Sequence, residues 1–196
     1  GTGIAFFFCV ALRAELRSRG FFADKGITEP NLRSLLDLVA VATVADMVDV
    51  RGVNRILLTH GMQVLAKSPR PGLRAILEAA GVKKPTAMHC GFVIGPRINA
   101  AGRLKHARAA LALLTSENFE EARVLAAELE AVNTERRATQ ASVTEEALEQ
   151  ARAQIARPMW VEMAAKGDVS PWPRALVLYS EHWHEGVVGI VASRVV

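Results

Sequence analysis

The longest uninterrupted helical pattern of this chain lies over residues 117–157, and it constrains the fold more than any other feature. No Gly or Pro interrupts it before Pro158, and at 1.5 Å per residue such a helix would span ~60 Å. Its charged outer faces predict an exposed helix that bridges two lobes, with a coiled-coil dimer helix as the alternative. The inner positions step by three or four residues: Ala122, Leu125, Leu129, Val132, Arg136, Thr139, Val143, Ala147, Ala151 and Ile155. The small and polar members of this set make a poor coiled-coil seam.

An apolar segment near the N-terminus contains a candidate ionic site. Residues 34–48 are apolar nearly all round, which predicts a buried helix. Asp46 lies in its last turn, where its carboxylate would face the negative end of the helix dipole and be partly desolvated. We therefore expect a cation beside it, for which both an arginine and a divalent metal are open alternatives. Further short helices are predicted over 3–19, 54–67, 71–80 and 107–114.

A basic stretch near the middle of the chain is a candidate anion site. Pro96 has no backbone donor and fixes φ, so a helix over 90–94 is expected to end there and to be followed by a loop. Arg97, Asn99 and Arg103 lie in this stretch. Two guanidiniums and an amide suit an anion with several oxygens, above all a phosphodiester. An equal alternative is a tight corner whose arginines bind local carbonyls or carboxylates.

The C-terminal part of the chain changes pattern. Residues 175–179 predict a short buried strand and residues 186–196 a helix, after an irregular linker over 159–173. A strand followed by a helix is half of a βαβ unit, so a second, α/β domain is expected to begin here. His184 precedes the helix, where it would orient a neighbour, donate to an anion or serve structure alone. Ser193 and Arg194 lie near the helix end, beside a strip of small residues that permits close approach of a backbone or a phosphate.

Composition and charge predict a soluble protein rather than a membrane-spanning one. The net charge of +4 and pI of about 9.4 are compatible with a polyanion partner. No stretch of 18 residues lacks charge, which predicts a soluble protein without a membrane span. Cys9 and Cys90 form no C-x-x-C pair, as expected for free thiols in the reducing cytoplasm. The chain begins in mid-pattern without Met, so we expect a piece of a longer protein.

Three stretches, taken together and in order, resemble one family. They are LDLVAVATVADMV over residues 36–48, with Asn54 and Arg55 after it, GFVIGPRINAAGRL over 91–104, and WHEGVVGIVASR over 183–194. In this order they resemble the RecJ family, the single-strand-specific 5′ to 3′ DNA exonucleases among the DHH phosphoesterases. The resemblance runs through almost the whole chain.

The resemblance implies a metal site at the first stretch. Asp46 matches an aspartate that binds the catalytic divalent metals, Mn²⁺ or Mg²⁺, which prefer oxygen ligands. The paired metals would activate water and stabilise the charge that builds up during phosphodiester cleavage.

The other two stretches are implied to bind the strand. Arg97, Asn99 and Arg103 would lie along the path of single-stranded DNA. Ser193 and Arg194 match a pair that recognises the 5′ end, and His184 is placed with them among the substrate-binding residues.

The resemblance also implies a domain plan. The parent is an α/β protein, and this mainly α fragment contains the C-terminal part of the DHH catalytic domain over residues 1–115. A long connecting helix would follow over 116–158, and then a linker and the start of the DHH-associated C-terminal domain over 159–196. The parent is expected to be a monomeric cytoplasmic protein of DNA recombination and repair.

Two departures from the family pattern bear on activity. The chain has no Asp-His-His triplet, which supplies other metal ligands, and Lys105 and His106 stand where the family usually has acidic residues. We therefore expect the fragment itself to be inactive. The alternatives are a DHH-family phosphodiesterase of short oligonucleotides or cyclic dinucleotides, and a non-catalytic nucleic-acid-binding module.

Overall fold

A computed structural model describes residues 1–67, 70–104, 107–156 and 175–195, without the side chains of residues 103 and 104. Regular structure in these ranges is helical. A 3₁₀ helix over Leu32–Leu35 and a π-helical segment over Cys90–Ile94 accompany the α-helices. The α-helices are α1 Thr2–Ser18, α2 Phe21–Asp24, α3 Leu36–Ala45, α4 Gly52–Lys67, α5 Pro71–Ala79, α6 Ala87–His89, α7 Gly95–Leu104, α8 Arg108–Thr115, α9 Phe119–Ile155 and α10 Glu185–Val195.

The chain divides into two compact units. The first comprises Gly1–Gly102 and His106–Glu130, and the second comprises Arg103–Lys105 and Ala131–Val196. Six large aliphatic side chains of the first unit are fully buried, and they come from α4, α5, the π-helical segment, α8 and α9: Leu65, Leu73, Ile76, Ile94, Leu113 and Leu129. Burial of these aliphatic side chains is the main stabilisation of this unit.

Two glycines let helices of the first unit touch through their backbones. A Cβ at Gly61 of α4 would lie 2.1 Å from the carbonyl oxygen of Leu36 and 2.7 Å from the Cβ of Ala40, both in α3. A Cβ at Gly72 of α5 would lie 2.1 Å from the carbonyl oxygen of Leu113 in α8. Neither position has room for a side chain, so both helix pairs depend on glycine.

The second unit is built on the C-terminal part of α9. Its core contains Val143 and Ala147 of α9 together with Val187 and Val191 of α10. Leu178 and Trp183 pack against this cluster. The predicted long helix is thus present as α9, whose 37 residues span about 56 Å.

The predicted strand over residues 175–179 is wrong for this structure. Residues 175–180 are extended, but their side chains alternate between exposed and half-buried, so the burial expected of this apolar run is not seen either. No neighbouring strand pairs with them among the described residues. Their hydrogen bonds go instead to glutamine side chains of α9, at Val177 and Tyr179. The linker predicted over 159–173 lies outside the described residues.

The predicted loop after Ile94 is also wrong. Gly95 has helical φ and ψ of −54° and −49°, and its N–H donates to the carbonyl of Cys90 across the π-helical turn. Pro96 then occupies the first turn of α7, where a missing N–H leaves no helical hydrogen bond unmade. The corner is replaced by nearly continuous helix. No helix within the described ranges is long and apolar enough to cross a membrane.

Candidate nucleic-acid interface

Asp46 lies at the C-terminal end of α3 and is exposed, so the partial burial expected from the sequence is wrong. Its N–H donates to Ala42 at 3.0 Å, and its carboxylate makes no ion pair with a described residue. A Schellman turn follows, in which Val48 N–H donates to Thr43 at 3.0 Å and Met47 N–H to Val44 at 3.1 Å. This turn ends the buried helix and leaves the carboxylate open to solvent.

Met47, next to Asp46, adopts a left-handed conformation that few residues other than glycine adopt. Its φ is +52° and its side chain is 91% exposed. Val48, Val50, Val53 and Ile56 after it are also exposed. The free carboxylate therefore adjoins an apolar surface, and strained backbone of this kind concentrates at functional sites.

The described residues fit a divalent metal only in part. An exposed carboxylate suits a hard cation that prefers oxygen ligands. However, no group of three or more His, Cys, Asp or Glu side chains that could hold a metal occurs in the described ranges. Asp46 can therefore contribute one ligand, and a complete site needs further ligands.

The buried carboxylate of the first unit is Asp37 rather than Asp46. Asp37 is 1% exposed, and both of its oxygens accept from Arg70, at 2.9 Å from Nε and 3.0 Å from Nη2. Leu38 N–H donates to the same carboxylate at 2.7 Å. The sequence predicted a cation beside Asp46. The structure instead places an arginine, Arg70, beside Asp37.

Arg97 of α7 is already bound within the protein. Its Nε donates to a carboxylate oxygen of Glu130 in α9, and its Nη1 donates to the carbonyl of Val93 at 2.8 Å. The Arg97 side chain is 16% exposed. These contacts match the second sequence alternative, in which the arginine binds a local carboxylate and a carbonyl.

The three candidate residues of α7 do not share one face. Successive residues of an α-helix are rotated by about 100°, so positions 97 and 99 lie on nearly opposite sides of α7. Positions 99 and 103 are four apart and lie on the same side. Asn99 is exposed. The backbone thus brings together Asn99 and Arg103, and not Arg97.

His184 caps α10. Its Nδ1 accepts from the N–H of Gly186 at 3.0 Å, and its carbonyl accepts from Val187 N–H at 3.0 Å. These bonds use two donors of the first turn that have no partner inside the helix. The structural alternative for His184 therefore has direct support.

Ser193 and Arg194 lie at the opposite end of α10 from His184. Ser193 lies nine positions after His184, which is a helical rise of about 14 Å. Both side chains are exposed, and Ser193 Oγ donates to the carbonyl of Ile190 at 2.8 Å. Arg194 makes no ion pair within the described part of the chain. Ser193 and Arg194 thus form one candidate anion contact, which His184 does not join.

The arginines of α1 are not a second basic surface. Arg13 and Arg17 both pair with Glu29, and Arg13 Nη1 also donates to the carbonyl of Pro30 at 3.0 Å. Arg19 pairs with Glu15 at 2.7 Å. The hydrogen bond from Arg17 holds the pKa of the Glu29 carboxyl below its ordinary value. The ion pairs of Arg13 and Arg17 with Glu29 hold the loop after α2 against α1.

Sequence reasoning missed Asp37 and Arg70, Glu130, and the glutamines Gln150 and Gln154 of α9. Asp37 carried the one available signal, because a carboxylate inside an apolar helix needs a partner. Its partner lies 33 residues away, and no sequence spacing identifies it.

No family model matches the chain. RecJ of Dickeya dadantii, a single-stranded-DNA-specific exonuclease, is 42% identical over 198 residues, which is 100% of this chain and 32% of that protein. RecJ of Escherichia coli, with the same description, is 43% identical over the same shares of the two chains. The chain thus spans about a third of the length of these two curated relatives.

Solved structures give the same result. RecJ from Thermus thermophilus in complex with Mn²⁺ is 34% identical, with a TM-score of 0.69 over 89% of this chain and 24% of that chain. The same protein in complex with Mg²⁺ matches with a TM-score of 0.69 over 89% of this chain and 25% of that one. The resemblance expected from the three sequence motifs is confirmed: over its whole length, this chain is a relative of a segment of RecJ.

Proposed function

We propose that these residues form part of a metal-dependent exonuclease that degrades single-stranded DNA from the 5′ end in recombination and repair. The observation that carries the proposal is the similarity to RecJ over the entire chain, including the stretch that ends in the exposed carboxylate of Asp46. The proposed cofactor is Mn²⁺ or Mg²⁺, the ions in the similar RecJ structures.

Asp46 is proposed to hold the metal through its carboxylate oxygens. The buried body of α3 fixes the backbone at this residue, and the Schellman turn directs the following chain away. The metals, when bound, would activate water and stabilise the developing charge on the phosphate. The apolar surface over residues 47–56 suits contact with further protein, since exposed patches of this kind mark interaction sites.

The strand is proposed to contact Asn99 and Arg103 on α7, and Ser193 and Arg194 on α10. Asn99, Ser193 and Arg194 are exposed, and an arginine without a protein partner is suited to a phosphate. A DNA contact by Arg97 remains part of the proposal, but its bonds to Glu130 and Val93 mean that it would have to exchange partners or be shared.

The domain plan remains a proposal too. Residues 1–115 would belong to the catalytic domain, 116–158 to the connecting helix, and 159–196 to the linker and second domain. An α/β parent is compatible with the extended segment over 175–180, since the backbone groups of Leu176 and Leu178 make no hydrogen bond within the described residues. These 196 residues alone are proposed to be inactive, because Asp46 supplies one ligand of a larger set.

The role of Asp46 can be tested by Asp46→Ala in an intact protein that contains this chain. Release of nucleotides from 5′-phosphorylated single strands with Mn²⁺ is expected to be abolished, while binding of the strand persists. Asp49→Ala is the matched control, because Asp49 is an exposed carboxylate three residues on that pairs with Arg51 at 3.4 Å. Full cleavage by Asp46→Ala would refute the metal role. Activity confined to the shortest oligonucleotides of a length series would favour a small-substrate phosphodiesterase instead.

A further inference from the structure

A row of polar side chains on α9 holds the extended chain before α10. The Gln150 side chain donates from Nε2 to the carbonyl of Tyr179 at 2.9 Å, and its Oε1 accepts from Tyr179 N–H at 3.1 Å. Gln154 Nε2 donates to the carbonyl of Val177 at 2.5 Å. A primary amide has one acceptor and two donors, so it can pair with both backbone groups of one residue.

The Gln150 side chain makes the two hydrogen bonds that a residue of a neighbouring strand would make. Two residues of an antiparallel ladder exchange an N–H and a carbonyl in the same way. The spacing also agrees, since four residues of helix rise about 6 Å and two residues of extended chain rise about 6.6 Å. α9 thus replaces a strand on one side of the 175–180 segment.

A third contact between α9 and this chain lies further toward α10. Trp183 Nε1 donates to Glu146 at 2.7 Å, four residues before Gln150 on α9. The pairs run in opposite directions along the two segments, from Gln154 with Val177 to Glu146 with Trp183. Once they form, Leu178 and Trp183 lie against the core of the second unit. The chain is therefore fixed immediately before His184 caps α10.

We propose that Gln150 and Gln154 are positioning residues that set where α10 begins and hence where Ser193 and Arg194 stand. No described contact gives either glutamine another role, apart from a long 3.4 Å bond from Gln150 to Glu146. The part of this inference that concerns DNA rests on the proposed function, whereas the part that concerns the backbone does not.

Amide hydrogen exchange of the 196-residue chain tests the backbone part. In Gln150→Leu, which keeps the size of the side chain and loses both bonds, the Tyr179 amide is expected to exchange about tenfold faster. In Gln150→Glu the carboxylate still accepts from Tyr179 N–H, so protection of that amide is expected to persist. Glu149→Leu, at an exposed neighbour with no bond to the segment, is the control and should leave protection unchanged. Equal exchange in Gln150→Leu and the wild type would overturn the proposal, as would equal loss of protection in the Leu and Glu variants.

Binding of single-stranded DNA with a 5′-phosphate or a 5′-hydroxyl tests the DNA part. The double variant Gln150→Leu, Gln154→Leu is expected to lose preference for the 5′-phosphate while it retains the salt dependence of binding. A wild-type chain that does not bind either strand would overturn the proposed DNA contacts and leave the exchange result intact. Wild-type preference in a double variant with lost amide protection would overturn the link from the glutamines to Ser193 and Arg194.

Discussion

The buried pair of Asp37 and Arg70 should dominate the response of the first unit to single substitutions. Arg70→Met removes both guanidinium bonds to Asp37, at 2.9 and 3.0 Å, and a third bond to the Ser34 carbonyl at 3.1 Å. It leaves a carboxylate that is 1% exposed with one backbone donor, Leu38 N–H. An uncompensated buried charge typically costs about 3–5 kcal/mol. For a chain of this size each kcal/mol corresponds to roughly 2–4 °C, so the melting temperature is expected to fall by about 6–20 °C.

The assay is thermal and urea unfolding of Arg70→Met, Asp37→Asn and the double variant, with Arg74→Met as the control. Arg74 pairs with Glu78 at 2.7 Å, but both side chains are about half exposed, and such surface pairs contribute roughly 0–1 kcal/mol. The double variant is expected to be more stable than Arg70→Met, because the amide leaves no buried charge. Equal small losses in Arg70→Met and Arg74→Met would refute the reasoning.

Three further predictions concern single sites. Gly61→Ala should destabilise the chain by about 3 kcal/mol or more in urea unfolding, because its Cβ would lie 2.1 Å from the Leu36 carbonyl oxygen. The control is Gly102→Ala, at a helical site with open space, which should be neutral or stabilising. The pKa of Glu29, measured by NMR titration, should lie below its ordinary value of 4.5, and Arg17→Ala should raise it. Because the folded pKa is lowered, the stabilisation from this pair is present above pH 4.5 and is lost as the pH falls through the folded pKa; an unchanged pKa in Arg17→Ala would contradict this. Burial raises the pKa of the Cys90 thiol to about 11. At a pH of about 8, near the ordinary pKa of a free thiol, Cys90 should therefore react with a thiol reagent only after the chain unfolds. Rapid labelling of Cys90 in the native chain would disprove its burial.

Local patterns were sufficient to predict most helices. The absence of Gly and Pro over residues 117–157 predicted α9, which the structure shows over Phe119–Ile155. These helices depend on helix breakers and on the spacing of apolar residues, which are properties of the local sequence. The sequence can therefore specify them without knowledge of the rest of the fold.

The two wrong predictions of secondary structure arose where one local sequence pattern is compatible with two conformations. Residues 175–179 are an apolar run of the kind found in strands and they are extended, but Gln150 and Gln154 of α9 supply the hydrogen bonds. Pro96 stops a helix that precedes it and equally begins one, and here it lies in the first turn of α7. In both cases contacts distant in sequence decide between the solutions.

The choice of site residues stays a prediction, and the geometry expected for several of them differs from the structure. Asp46 was identified from its motif, but the structure exposes it, and Asp37 has the buried environment that was expected for Asp46. Arg97 and Asn99 fall on different faces of α7 because the stretch is helical. The pairing of Arg97 with Glu130 spans 33 residues and has no signal in the sequence.

The central claim is that these residues hold a single strand and do not complete the cleavage site. The most direct test measures binding of a labelled 5′-phosphorylated single strand by the 196-residue chain against salt, and in parallel measures nucleotide release with Mn²⁺. The account predicts that the logarithm of affinity falls linearly with the logarithm of salt concentration, with a slope of about −0.7 per phosphate contact, and that no nucleotide is released. A flat salt response or robust release of nucleotides would contradict it.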